Sequence, residues 1–243
     1  MIGTVHPDFW GQDIGRAVLK WTEQRAAVVA TQIPEPAKGP RYYHVWCPER
    51  NPRLKTLLES SGYHAARFSI DMVRPNYGDI PDFQLPANLE IRPIDRNTPG
   101  LMRAIWDADV EAFADHWGFA APMEGDFENW LKEPLNQPHL FKVAFDKATG
   151  EIASMVQNFV NEEENSRLGR KRGYTEGIST RRKYRKQGVA RALICESLRM
   201  FRDMGMCEAA LGADADNLTG AVSVYRTCGF EVVERTTLFW KAF

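Results

Sequence analysis

One stretch, from Tyr174 to Phe201, constrains the fold more than any other: it reads as a strand, a basic turn and an amphipathic helix in direct succession. Val189, Leu193, Ile194, Leu198 and Phe201 recur at helical spacing, so a helix starting near Gly188 must bury one face. The first turn of that helix carries backbone N–H groups without intrahelical partners, at the positive end of the helix dipole. Such a terminus suits a pyrophosphate, provided the backbone can come close, and the small residues Gly188 and Ala190 allow that approach. Arg181, Arg182, Lys183, Arg185 and Lys186 add positive charge around the turn.

Known phosphate loops differ in spacing. Neither Gly-x-Gly-x-x-Gly nor Gly-x-x-x-x-Gly-Lys-Ser/Thr occurs here. What occurs is Arg185-x-x-Gly188-x-Ala190, after a strand and before a helix. This resembles the acetyl-CoA pyrophosphate loop of the GNAT superfamily of N-acetyltransferases. Farther on comes a short strand, Cys207 to Gly212, and then Asn217, Tyr225, Gly229 and Phe230. The superfamily carries the same Asn and the same Tyr-x-x-x-Gly-Phe in the same order of elements. The resemblance covers Leu89 to Phe243. It implies an α/β fold with an α+β mixed sheet, acetyl-CoA as co-substrate, and acetyl transfer to a primary amine of a small molecule by direct attack.

Bulk composition bounds the remaining possibilities. With 243 residues the chain has room for two modest domains, each able to bury a core. Hydrophobic residues make up 44%, charged residues 26%, and the formal net charge is -1. That balance disfavours a nucleic-acid binder and leaves the basic turn as a local feature for a small polyanion. Cys47, Cys195, Cys207 and Cys228 show neither metal-ligand spacing nor disulfide density, so no metal is expected. No leader-like N-terminal pattern appears, and no run approaches the roughly 18 apolar residues of a membrane span. A cytoplasmic protein, monomer or homodimer, is the expectation.

Early segments echo the later ones. Thr4 to Pro7, followed by Gly11 to Trp21, repeats in outline the strand end, loop and helix of the main stretch, and Asn51 to Tyr63 echoes the Asn to Gly-Phe segment. Trp10 stands where the loop pattern wants Arg or Gln, Asp13 where it wants Gly, and Leu58 where it wants Tyr. A carboxylate at Asp13 repels a pyrophosphate, so this copy is read as a partial, degenerate GNAT-like domain that does not bind acetyl-CoA. It is short, either truncated or naturally reduced. The proline-punctuated stretch Arg74 to Pro86 separates the two, giving 1–80 as the degenerate domain and 81–243 as the complete catalytic one. Within the latter, strands are expected at 89–94, 140–145, 151–160, 174–180, 207–212, 231–235 and 237–241, and helices after Thr98 and at 127–131. The charged run 161–173 reads as an exposed hairpin connection.

Acetyl transfer makes three demands. By resemblance, Arg185, Lys186, Gln187, Gly188, Val189 and Ala190 hold the pyrophosphate, the strand end Ile178, Ser179 and Thr180 pairs with the pantetheine arm through its backbone, and a bulge splays that strand from its neighbour. Asn217 would hydrogen-bond the cofactor, although it suits a helix N-cap equally well. The leaving thiolate needs a proton, for which Tyr225 occupies the family's tyrosine position; a tyrosine on that helical face could also simply pack. The acceptor amine must be neutral, and Glu176, on the strand leading to the loop, is a candidate base or an outward-facing strand residue. His116, between Asp115 and Trp117, is the other candidate for catalysis or acceptor binding, in a region where this fold builds acceptor pockets. The run Ala112 to His116 and the tandem layout are similar to those of mycothiol synthases, a tandem family within the superfamily. Rival readings are a noncatalytic acyl-CoA-binding or scaffold module, and a nucleotide-binding enzyme that uses the basic loop.

Overall fold

The computed structural model describes residues 3–32, 40–215 and 220–243. The chain divides into two compact units, Met1–Ile70 with Asp214–Asp216 and Glu234–Phe243, and Asp71–Ala213 with Asn217–Val233. Three strands run from one unit into the other: β2 (His64–Arg74), β7 (Glu208–Asp214) and β8 (Glu231–Ala242).

The smaller unit holds α1 (Ile14–Ala30), β1 (Tyr42–Pro48) and α2 (Pro52–Ser60), with its parts of β2 and β8. Its sheet places β8 between β1 and β2. β1 and β8 pair antiparallel from Tyr42↔Ala242 to Pro48↔Thr236. Asn51 caps α2, its side-chain oxygen accepting from the Leu54 N–H at 3.1 Å, and Cys47, Leu58, Tyr63 and Phe239 form the core. Asp13 begins α1 in the left-handed region, φ 58°, without a side-chain cap bond.

The larger unit is a mixed α/β layer built on β7, β6 (Arg172–Thr180), β5 (Ile152–Val160), β4 (Lys142–Asp146) and β3 (Leu89–Arg92), in that order, with the end of β2 beside β7. β3 to β6 pair antiparallel with their neighbours, whereas β6 and β7 pair parallel. One face is covered by α3 (Leu101–Phe113), whose Met102, Ile105 and Ala108 pack on Val143, Phe145, Ile152 and Met155. α4 (Asp126–Lys132) adds Phe127, Trp130 and Leu131 to the same cluster. On α6 (Val189–Asp203) every residue of the expected apolar stripe is buried. Gly173 lets α6 approach β6 closely, because a Cβ there would stand 2.5 Å from the Phe201 ring. α7 (Ala221–Thr227) then leads through Gly229, φ 86°, into β8.

Three local readings differ from the sequence expectation, the first being that Thr4 to Pro7 forms no strand end but leads into a 3-10 turn over Pro7–Phe9. Residues 162–168 form a helix, α5 (Glu162–Leu168), within the run read as a connection. Asn161 caps it by accepting from the Glu164 N–H at 3.0 Å, three glutamates occupy its first turn, and Gly169 ends it at φ 61°. The last two expected strands are one, β8, which runs unbroken through Thr236.

Candidate active site

β6 and β7 run together only briefly. Their parallel register covers Arg172↔Glu208, Gly173↔Ala209 and Tyr174↔Ala210, although both strands continue for several residues beyond. The strands therefore part after Tyr174 and Ala210, and backbone groups along the opening lose their ladder partners. On the other side of β6, Met155 faces Ser179 and Gln157 faces Glu176, so β6 carries one residue more than β5 across this interval. The extra residue is a bulge at Gly177, φ 52°, and Ile178. A Cβ at Gly177 would stand 2.9 Å from the Gln157 side chain.

Glu176 projects into the opening. Its Oε1 accepts from the Gly212 N–H on β7 at 2.9 Å, so the carboxylate bridges the gap that the parted ladder leaves. Burial raises its pKa to about 7; the Gly212 hydrogen bond pulls it down, and the Asp71 carboxylate adds to the rise. Asp71 belongs to this corner geometrically as well, since a Cβ at Gly212 would be 3.7 Å from Glu176 Oε1 and 4.0 Å from Asp71 Oδ1. Tyr225, on α7, is only 8% exposed, and burial first and the Glu176 charge second push its hydroxyl up to about 12. The C-terminal end of α7 is held by buried Arg74, which donates to the Cys228 carbonyl at 2.5 Å and the Asn76 carbonyl at 2.9 Å.

The basic turn is already engaged. Arg185 donates to the carbonyls of Thr180 and Ala112 at 3.0 and 2.9 Å and to Asp115 at 3.0 Å. Arg182 shares Asp115, Arg181 pairs with Glu111 at 2.7 Å, and Lys183 pairs with Glu151 at 3.0 Å. These bonds tie the turn to the end of α3 and to β5. Lys186 is exposed, with φ 61°, and Gln187 donates to the Lys183 carbonyl at 3.0 Å. Gly188 opens α6 at φ 81° with no side-chain cap, leaving the first N–H groups of α6, Val189 and Ala190 among them, without a capping oxygen.

Glu176 and Tyr225 are thus brought together, and Ile178, Ser179 and Thr180 lie at the bulge leading to the turn. Ser154 fixes that end, its hydroxyl bonding the Ser179 carbonyl at 2.7 Å and the Thr180 hydroxyl at 2.8 Å. His116 lies in the turn after α3, with its ring edge-on to Phe113 at 4.5 Å. Asn217 lies outside the described residues, and α7 has Gly220 at its N-cap. One residue was not anticipated: Asp109 on α3, near Ser179 and Gln157, with burial raising its carboxyl to about 6. Its signal was present, because Met102, Ile105, Asp109 and Ala112 follow one helical stripe, so an acid interrupts the buried face.

Residues 101–230 match the Acetyltransferase (GNAT) family. The chain belongs to this family. A mycothiol acetyltransferase of Streptomyces coelicolor is 30% identical over 239 residues, covering 98% of this chain and 69% of that protein. Among solved structures, a GCN5-related N-acetyltransferase from Sphaerobacter thermophilus superposes with a TM-score of 0.80 at 26% identity, over 98% of this chain and 70% of that one. A tandem GNAT protein from the clavulanic acid biosynthesis pathway shares the fold, with a TM-score of 0.62 at 14% identity and 98% and 73% coverage. This GNAT chain is accordingly an acetyl-CoA-dependent acyltransferase, with acetyl-CoA as its co-substrate. The opening between β6 and β7 and the bare start of α6 fit such a molecule: one supplies unpaired backbone along a slot, the other unpaired N–H groups for an anion. Among the described residues no helix is long and apolar enough to cross a membrane.

Proposed function

We propose that the larger unit transfers the acetyl group of acetyl-CoA to a primary amine of a small molecule, by direct attack, with Glu176 as base and Tyr225 as acid. The observation that carries this reading is the placement of Glu176 in the parting of β6 and β7, with the Tyr225 hydroxyl in electrostatic reach. The start of α6 from Gly188 takes the pyrophosphate, with Lys186 and Gln187 at its edge. Ile178, Ser179 and Thr180 offer backbone to the pantetheine arm and an N–H to the developing oxyanion. Arg185 supports this arrangement by fastening the turn to Thr180 and α3. His116, beside Phe113, belongs to acceptor binding.

The two titrating groups work as a pair. An alkylamine near pKa 10.4 is neutral in only about one molecule in a few thousand at pH 7, so a base poised near 7 speeds its loss of a proton. With Tyr225 at about 12 and a coenzyme thiol near 8.5, full proton transfer to the thiolate costs about 5 kcal/mol. Once Glu176 has taken the amine proton, its charge is gone and that part of the tyrosine's upward shift disappears. Proton uptake at Glu176 therefore prepares proton release at Tyr225.

The smaller unit takes no part in acetyl transfer on this reading. Asp13 keeps the left-handed backbone that Gly188 uses, but places a carboxylate at the helix start. Calorimetric titration of acetyl-CoA tests the proposal. One site is expected, absent in Gly188→Glu, where a side chain at positive φ and a negative charge both oppose binding, and unchanged in Asp13→Gly. With a reactive amine found by thiol release, Tyr225→Phe is expected to lower kcat by about 10- to 100-fold. Full activity in Tyr225→Phe would remove the acid from the scheme, and no heat of binding in wild type would remove the site.

A further inference from the structure

A cleft of about 500 Å³ opens beside α3, lined by Trp106, Asp109, Phe113, Phe119, Asp126 and Trp130. Among the described residues it is lined by two carboxylates and by no lysine or arginine. The carboxylates differ in what they have left to offer. Asp126 accepts from the Met123 N–H at 2.7 Å, whereas Asp109 Oδ1 is shut off from solvent without a hydrogen-bond partner. A buried carboxylate oxygen is costly until a donor reaches it. Around it stand aromatic rings, Trp106 and Trp130 with centroids 5.4 Å apart, whose faces attract cations.

One residue of the cleft, Asp109, stands a single side chain away from the proposed reaction centre. Gln157 lies directly opposite Glu176 in the β5–β6 register, and residues so paired project from the same face of a sheet. That face is the one α3 covers, through Met155 and Ile152. Asp109 is near Gln157 and Ser179, so one side chain, Gln157, neighbours both acids.

We propose that this cleft seats the acceptor and selects amines that carry a second, non-reacting cationic group, held by the Asp109 carboxylate among the rings of Trp106, Phe113 and Trp130. The inference rests on the reading of Glu176 as the base, because the attacking nitrogen must be neutral and the cation at Asp109 is therefore a different group. Ser179 and Gln157 favour the charged form of Asp109, and a carboxyl near 6 is mostly ionised above neutrality. An ionised acid facing rings, with no cation of the protein's own lining the cleft, is completed by a ligand cation.

Two acceptors of matched length, the diamine 4-aminooxybutylamine and O-pentylhydroxylamine, separate the idea from simple shape selection, because an aminooxy nitrogen is neutral near neutrality and only the diamine carries a cation. Each is titrated into the full chain at about pH 8, where Asp109 is ionised, following tryptophan fluorescence and heat. The diamine is expected to bind about tenfold or more tighter. Asp109→Asn is expected to bring the two to parity while melting no lower than wild type, since a charge that burial disfavours is removed. Trp106→Phe should weaken the fluorescence change and keep the calorimetric preference. Equal affinities in wild type, a preference that survives Asp109→Asn, or no binding of either amine up to about 10 mM would each overturn the proposal. Thiol release with both amines keeps the two readings apart. A binding preference without thiol release removes the acetyl-transfer scheme and leaves the cleft, whereas release at equal kcat/KM for both amines removes the cleft and leaves the scheme.

Discussion

At the scale of single residues, Glu176 is held in conflict by its surroundings. Burial and the nearby Asp71 disfavour its charge, yet the proposed chemistry needs the charged form. A carboxyl raised from 4.5 to about 7 holds its proton in the folded chain over an interval in which the unfolded chain has lost it. Its contribution to stability is fully present below the unfolded pKa and is lost as pH rises through about 7, whereas kcat/KM should climb across the same range. Thermal unfolding at pH 5 and pH 8, wild type against Glu176→Gln, checks the first half: the pH-dependent loss should shrink in the variant. Asp71→Asn checks the second, because removing the neighbouring charge should move the acidic limb of kcat/KM to lower pH without abolishing turnover. An unmoved limb would assign the titration to another group. Tyr225 is legible because it occupies a fixed place in a short pattern, whereas Glu176 is marked only by its position on the strand leading to the loop. Asp109 leaves only a faint mark in the sequence, a single acid within a helical stripe of apolar residues.

At the scale of elements, the turn between β6 and α6 is braced by ion pairs that no linear pattern reveals. Its arginines read as charge awaiting a phosphate, but Arg182 and Arg185 both reach Asp115, seventy residues away from Arg185 along the chain. Such partners depend on how α3 packs over the sheet, which spacing along a sequence does not encode. The charged run that became α5 shows the opposite case: Asn161, the first-turn glutamates and Gly169 were all in view as a cap, a dipole match and a stop, and density of charge masked them. The bracing has a measurable consequence. Asp115→Asn removes the shared carboxylate from two arginines, and exposed pairs of this kind hold their partners only weakly. Acetyl-CoA affinity should fall by about two- to tenfold, with kcat for a given amine nearly unchanged. An equal drop in kcat would mean that Asp115 acts on the acceptor side instead. Raising the salt concentration should shrink the difference between wild type and variant, because exposed pairs are screened.

At the scale of the whole chain, the order of residues and the compact units do not coincide. The smaller unit takes its third strand from the very end of the sequence: β8 returns to pair with β1 from Thr236 to Ala242, and Phe239 completes a core with Cys47, Leu58 and Tyr63. A division at 80 and 81 follows the proline-rich stretch and separates β8 from both of those partners. This arrangement was hidden from a linear reading because periodicity locates a strand and is silent on its neighbour when the partner lies nearly two hundred residues away. The fragment 81–243 would expose the edge of β8 and the Phe239 side chain, a combination that favours association between chains. We therefore expect this fragment, expressed alone, to be largely insoluble or oligomeric in light scattering, and to be recovered as soluble protein when residues 1–80 are supplied as a second chain. Phe239→Ala in the full chain should reproduce part of the defect, at about 3–5 kcal/mol of lost stability for a buried phenylalanine. A monomeric 81–243 fragment with undiminished acetyl-CoA affinity would show that β1 and its core contribute nothing to the larger unit, and that the smaller unit is dispensable to both the fold and cofactor binding.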